Sequence, residues 1–140
     1  MTFIGILLSS IFSFLAFIHY YWALGGKWGA DVALPASENN IKAMNPGFIA
    51  CFIVGSGLLG LGIICLENLG LIHLNLPTWI TGTSFWIFAC VFLVRAIGDF
   101  KYVGFTKRVR NTSFARLDTR FYSPLCLAIG ILMIILKTSN

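Results

Sequence analysis

Four apolar runs, three of them close to the length that crosses a lipid bilayer, constrain this chain more than any other feature. A helix needs roughly 20 apolar residues to cross about 30 Å of hydrocarbon. The first run extends from about Phe3 to Leu24, the second from about Gly47 to Leu66 and the third from about Trp79 to Gly98. The fourth is apolar only from Pro124 to Leu136, and would reach just about 20 Å at the helical rise. In one reading it starts earlier, near Leu117, and spans about 117–136. Arg120 and Tyr122 then lie inside the helix and Pro124 kinks it. In the other, Ser123 caps a short helix with Pro124 in its first turn. Only 11% of the residues are charged and mean hydropathy is +0.87, whereas a soluble domain carries about 25% charged residues. The expected fold is an all-α integral membrane protein, a four-transmembrane-helix bundle forming one domain over residues 1–140.

The N-terminal run has no Lys or Arg before it and leads into His19-Tyr20-Tyr21-Trp22, not into a small-residue cleavage site. It reads as a retained first helix. The net charge of +5 sits between apolar spans, which points to anionic lipid headgroups as partners and away from nucleic acid. Cys51, Cys65, Cys90 and Cys126 lie in or at the edges of the spans with no CxxC pair. They read as small packing residues.

Helix alternation puts the first and third loops on one side of the membrane, and the second loop and both termini on the other. The first side holds eight Lys/Arg, including Lys27 and Lys42, against Lys137 alone on the second. Positive residues stay in the cytoplasm, so both termini are expected outside. The same alternation gathers His19, Arg95, Asp99, Asp118, Arg120 and Tyr122 into one cytoplasmic layer. Glu67 and His73 belong to the opposite face.

Within that layer, Arg95 and Asp99 are four residues apart and are expected to pair on one helix face. The plain reading is a structural ion pair with a snorkelling arginine; the functional one is an arginine that binds an anion in a cavity. His19 lies on a helical stripe of Ser9, Phe12, Ser13, Ala16, His19/Tyr20 and Ala23. Its plain role is an interhelical hydrogen bond, to Asp99 or Tyr122, and its functional one is proton handling. Tyr20, Tyr21, Trp22 and Trp28 fit an interfacial aromatic belt. Gly25-Gly26 and Gly29 between the tryptophans suggest a shaped re-entry loop. In the second span Cys51/Gly55 and Ser56/Gly60 are small-xxx-small pairs that suit helix packing. No phosphate loop, dinucleotide fingerprint, HExxH or GxSxG motif is present, and no cluster suggests a metal or another cofactor.

The strings His19-Tyr20-Tyr21-Trp22-Ala23-Leu24-Gly25-Gly26, Trp28-Gly29, Ala33-Leu34-Pro35, Arg95-Ala96-Ile97-Gly98-Asp99-Phe100, Tyr102-Val103-Gly104-Phe105 and Phe114-Ala115-Arg116-Leu117-Asp118 through Tyr122-Ser123-Pro124-Leu125 carry a resemblance in combination. Together they resemble a family of small four-helix bacterial membrane proteins catalogued as a domain of unknown function. The resemblance implies a multi-pass protein of the bacterial cytoplasmic membrane and assigns no catalytic residue.

Three functions fit these observations. The first is a binding or transport-associated protein whose polar pocket takes an anionic or amphipathic ligand at the cytoplasmic leaflet. His19, Trp22, Arg95, Asp99, Arg120 and Tyr122 would line that pocket. The second is a membrane-embedded enzyme with His19 as general acid/base and Asp99 orienting it. The third is an accessory subunit packed against a membrane-protein partner or another copy of itself.

Overall fold

A computed structural model describes residues 2–35 and 46–139. Lys42 and residues 36–45 of the first loop lie outside the described residues. The chain is all-helical, with no strand among the described residues. Helices α1 (Thr2–Ala23), α3 (Phe48–Asn68) and α4 (Thr78–Ile97) are spans, and a short helix α2 (Ala30–Ala33) lies in the first loop. The fourth span is a continuous run, Ser113–Thr138. It is built from α5 (Ser113–Leu117), a π-helical stretch (Asp118–Tyr122) and α6 (Ser123–Thr138).

The spans pack as two antiparallel pairs, α1 with α3 and α4 with α6. Small residues set the approach in both. A Cβ on Gly62 would sit 3.3 Å from the Ser9 carbonyl oxygen, and one on Gly55 3.3 Å from that of Ala16. Ser9 Oγ donates to the Gly62 carbonyl at 3.0 Å, so the seam is also hydrogen-bonded, as membrane helix interfaces favour. In the second pair a Cβ on Gly130 would sit 3.3 Å from the Ala89 carbonyl. Leu8, Phe12, Leu58, Leu61, Phe85, Ile129, Met133 and Leu136 form one buried core between the pairs. Phe12 stacks on Phe92 across it at 5.7 Å between centroids. Phe14, Phe17, Ile53, Trp86, Ile87 and Val94 face outward, as lipid-facing positions should.

Two packing expectations change. Of the second span's small pairs, Cys51 and Gly55 are buried, and Ser56, though exposed, shares a hydrogen bond with Tyr20 Oη of α1 at 3.1 Å, but Gly60 has open space around it. Gly62 takes the close contact, because seven residues from Gly55 return to the same face after two turns. Cys51 and Cys65 are buried, whereas Cys90 is exposed on α4 and so does not pack inside the bundle.

The fourth helix begins at Ser113, four residues before Leu117. Thr112 caps it, its Oγ1 accepting from the Ala115 N–H at 3.0 Å, the usual role of a residue before a first turn. The helix runs through Pro124 and does not start there. Proline has no N–H and its ring crowds the carbonyl one turn back. The π-helical stretch widens that turn, and the Ser123 N–H reaches the Asp118 carbonyl five residues earlier.

Candidate functional site

The layer at the end of α4 is organised by where that helix stops. Gly98 has φ +97°, ψ −173°, a conformation open in practice to glycine alone. The chain turns there and doubles back along the helix. The Phe105 N–H donates to the Ala96 carbonyl at 2.9 Å, and the Thr106 N–H and Oγ1 donate to that of Ile97 at 3.2 and 2.7 Å. Carbonyls that every helix end leaves orphaned are thereby satisfied. Gly104, also left-handed at φ +85°, lies directly against Ile97 and Gly98, where any side chain would collide with backbone.

Asp99 is consumed by this turn. Its Oδ1 accepts from the N–H groups of Lys101, Tyr102 and Val103 at 2.9, 2.7 and 2.9 Å. Slight burial works to raise its pKa, but those donors outweigh it and hold the carboxyl below its ordinary 3.8. The expected Arg95–Asp99 pair is therefore not formed. An i,i+4 pair needs a continuing helix, and α4 ends at Ile97.

Arg95 turns to Asp118 instead, Nη2 to Oδ1 at 2.8 Å. Asp118 has no exposed surface and is the hub of the layer. Its Oδ2 accepts from the Gly104 N–H at 2.8 Å and from Lys107 Nζ at 2.9 Å. Lys107 is also buried, and its ammonium donates further to the Gly104 carbonyl at 2.8 Å and to Thr119 Oγ1 at 2.6 Å. All three ammonium donors thus have acceptors. The cluster clasps α4, the third loop and the π-helical stretch together. Arg95 Nη1 and Ser123 Oγ are buried and find no partner among the described residues. Arg95 retains 32% of its side-chain exposure.

The other expected residues are dispersed around this clasp. Arg120 is exposed, and Tyr122 is half-buried with its ring 6.1 Å from that of Phe114. His19 Nδ1 donates to the Leu15 carbonyl at 2.8 Å, a bond within α1; a carbonyl only accepts, so this nitrogen carries the proton. The ring stands edge-on to Trp22 at 5.3 Å. His19 thus bonds within its own helix, not to Asp99 or Tyr122, and the acid/base pair with Asp99 is not assembled.

Trp22 leads into a concave feature. Its Nε1 donates to the Trp28 carbonyl at 2.9 Å, and the Gly25 and Gly26 N–H groups donate to the Trp22 and Tyr21 carbonyls at 3.0 and 2.9 Å. Gly25 and Gly29 take φ +90° and +74°. This folded loop and α2 wall a cavity of about 440 Å³ against the first turn of α3, lined by Trp22, Gly26, Lys27, Asp31, Leu34 and Cys51 among others. Arg95, Asp99, Arg120 and Tyr122 do not line it. Sequence reasoning marked the glycines and Trp22 but missed Lys27, Asp31, Leu34 and Cys51 as cavity residues. It also counted Lys107 merely as loop charge; nothing local separates that lysine from Arg108 beside it.

Four long apolar helices, with polar side chains gathered at one end, define a multi-pass helical membrane protein. The chain belongs to the family described as protein of unknown function (DUF3995), whose model matches residues 12–133. No curated protein and no solved structure matches it.

Proposed function

We propose that this protein binds an amphipathic molecule in the cavity between the end of α1, α2 and the start of α3. The observation that carries the reading is the cavity itself. Its volume of about 440 Å³ falls in the range of small-molecule sites. Its wall grades from apolar Trp22, Leu34 and buried Cys51 to charged Lys27 and Asp31. An apolar body would lie along the former and a polar head would meet the latter. Lys27 supplies the positive contact that an anionic head requires. Arg95 does not line this cavity, so in this reading the anion contact passes from Arg95 to Lys27. In this proposal the cavity opens to the cytoplasmic side, the side of the basic third loop.

Native mass spectrometry of the detergent-purified protein tests the reading. An amphiphile should co-purify. Ala30→Trp, which fills the cavity from α2, should release it, and Lys27→Gln should lower its retention. Both variants should melt within a few degrees of the parent. Absence of any co-purifying amphiphile, or retention unchanged in Ala30→Trp, would sink the proposal.

A further inference from the structure

The third loop and the first turns of the fourth span carry a surface that the cavity does not use. Phe100, Phe105 and Phe121 are 61%, 43% and 64% exposed. Phe100 and Phe105 lie beyond the end of α4, in a segment otherwise rich in charge. Phe100 has φ +62°, a left-handed conformation that bulky residues adopt only at a cost. Glycine would relax there, yet the chain projects an aromatic ring. Phe105 is level with the last turn of α4, because its N–H is bonded to the Ala96 carbonyl. A ring alongside the last turn of a membrane span meets the headgroup and acyl boundary, not bulk water.

The exposed charges around these rings are mostly positive, with Asp99 the one exposed acid. Lys101, Arg108, Arg110, Arg116 and Arg120 are exposed. The two acids of the segment are engaged: Asp99 Oδ1 by three backbone N–H groups, and Asp118 inside the clasp. The bonds of Gly104, Phe105 and Thr106 to Asp118 and the end of α4 hold the loop against the bundle.

We infer that the segment from Phe100 to Phe121 is a rigid docking surface for anionic lipid headgroups, with its phenylalanines set into the acyl boundary and its cations over the phosphates. A soluble protein partner is less well matched. Aromatic rings level with the end of a span are in the bilayer's reach, and the basic residues complement a lipid phosphate layer. The surface is distinct from the cavity, so either proposal can fail alone.

The test uses the full chain in nanodiscs containing equal zwitterionic and anionic lipid. Benzoylphenylalanine replaces Phe105 or, separately, Phe121, both exposed. After irradiation, mass spectrometry should find lipid adducts in which the anionic lipid dominates. The double variant Arg108→Gln, Arg116→Gln alters only exposed side chains with no contact to the clasp. It should lower the anionic-to-zwitterionic adduct ratio by about fivefold or more, from the contribution expected per cation near a charged surface. Adducts in bilayer proportion from the unmutated loop would overturn the inference without recourse to the variant. So would adducts to protein in native membranes, or none at all.

Discussion

Replacing Asp118 with alanine should be the most damaging single change in the polar layer. Asp118 is fully buried and faces two cations, Arg95 at 2.8 Å and Lys107 at 2.9 Å. Its loss strands a lysine with almost no exposed surface. Breaking a buried pair from one side typically costs about 3–5 kcal/mol, because the surviving charge stays buried. The Gly104 N–H loses its acceptor as well. For a chain of this size, such a cost corresponds to a fall in melting temperature of about 10 °C. Lys107→Met should cost less, since Asp118 keeps Arg95 and the Gly104 N–H. The double variant Asp118→Ala, Lys107→Met should melt above Asp118→Ala, because the stranded cation is gone. By contrast Asp99→Ala removes an exposed turn acceptor worth about 1 kcal/mol by analogy with helix caps, about 3 °C. Thermal melting of all four variants in one detergent measures the order. If Asp99→Ala destabilises as much as Asp118→Ala, the clasp is not what holds this end of the bundle.

Other outcomes follow from the same geometry. The Asp99 carboxyl lies below its ordinary 3.8, so its contribution is complete above that pH and fades as pH falls through the lower folded value; Asp99→Asn should flatten that acid limb of a melting-versus-pH series. Gly62→Val should destabilise by about 1–3 kcal/mol through overpacking against α1, while Gly60→Ala, with open space beside it, should be neutral in the same melts. Reporter fusions should place the C-terminus outside, since eight Lys/Arg on one side of the spans outweigh Lys137 on the other; a cytoplasmic C-terminus would overturn that orientation.

Much of the architecture was legible because membrane spans must satisfy their own backbone, so apolar length alone exposes them. Alternation of the spans also put Arg95, Asp118 and Tyr122 at one end before any packing was known. It did not reveal which acid Arg95 would choose. The four-residue spacing to Asp99 suggested a helical pair, but Gly98 ends the helix first. Two glycines, Gly98 and Gly104, then bring Lys107 to an aspartate eleven residues further on. That encounter depends on a loop whose backbone conformations leave no periodic trace. Ser123-Pro124 was ambiguous for a related reason: a π-helical turn that accommodates proline has no residue signature of its own.

The clasp also bears on how the chain enters the bilayer. A nascent chain delivers Arg95 in the third span while Asp118 is still 23 residues from emerging. During that interval the third span must tolerate an arginine with no acid partner, held near its end where the guanidinium can still reach water. Arrival of the fourth span changes the status of the third, since Asp118 brings its countercharge and the folded loop brings Lys107 with it. The clasp is thus complete only once the fourth span has been made. A chain truncated just before Asp118 would leave an unpaired cation at the membrane border, a feature by which a quality-control protease could tell an unfinished chain from a finished one.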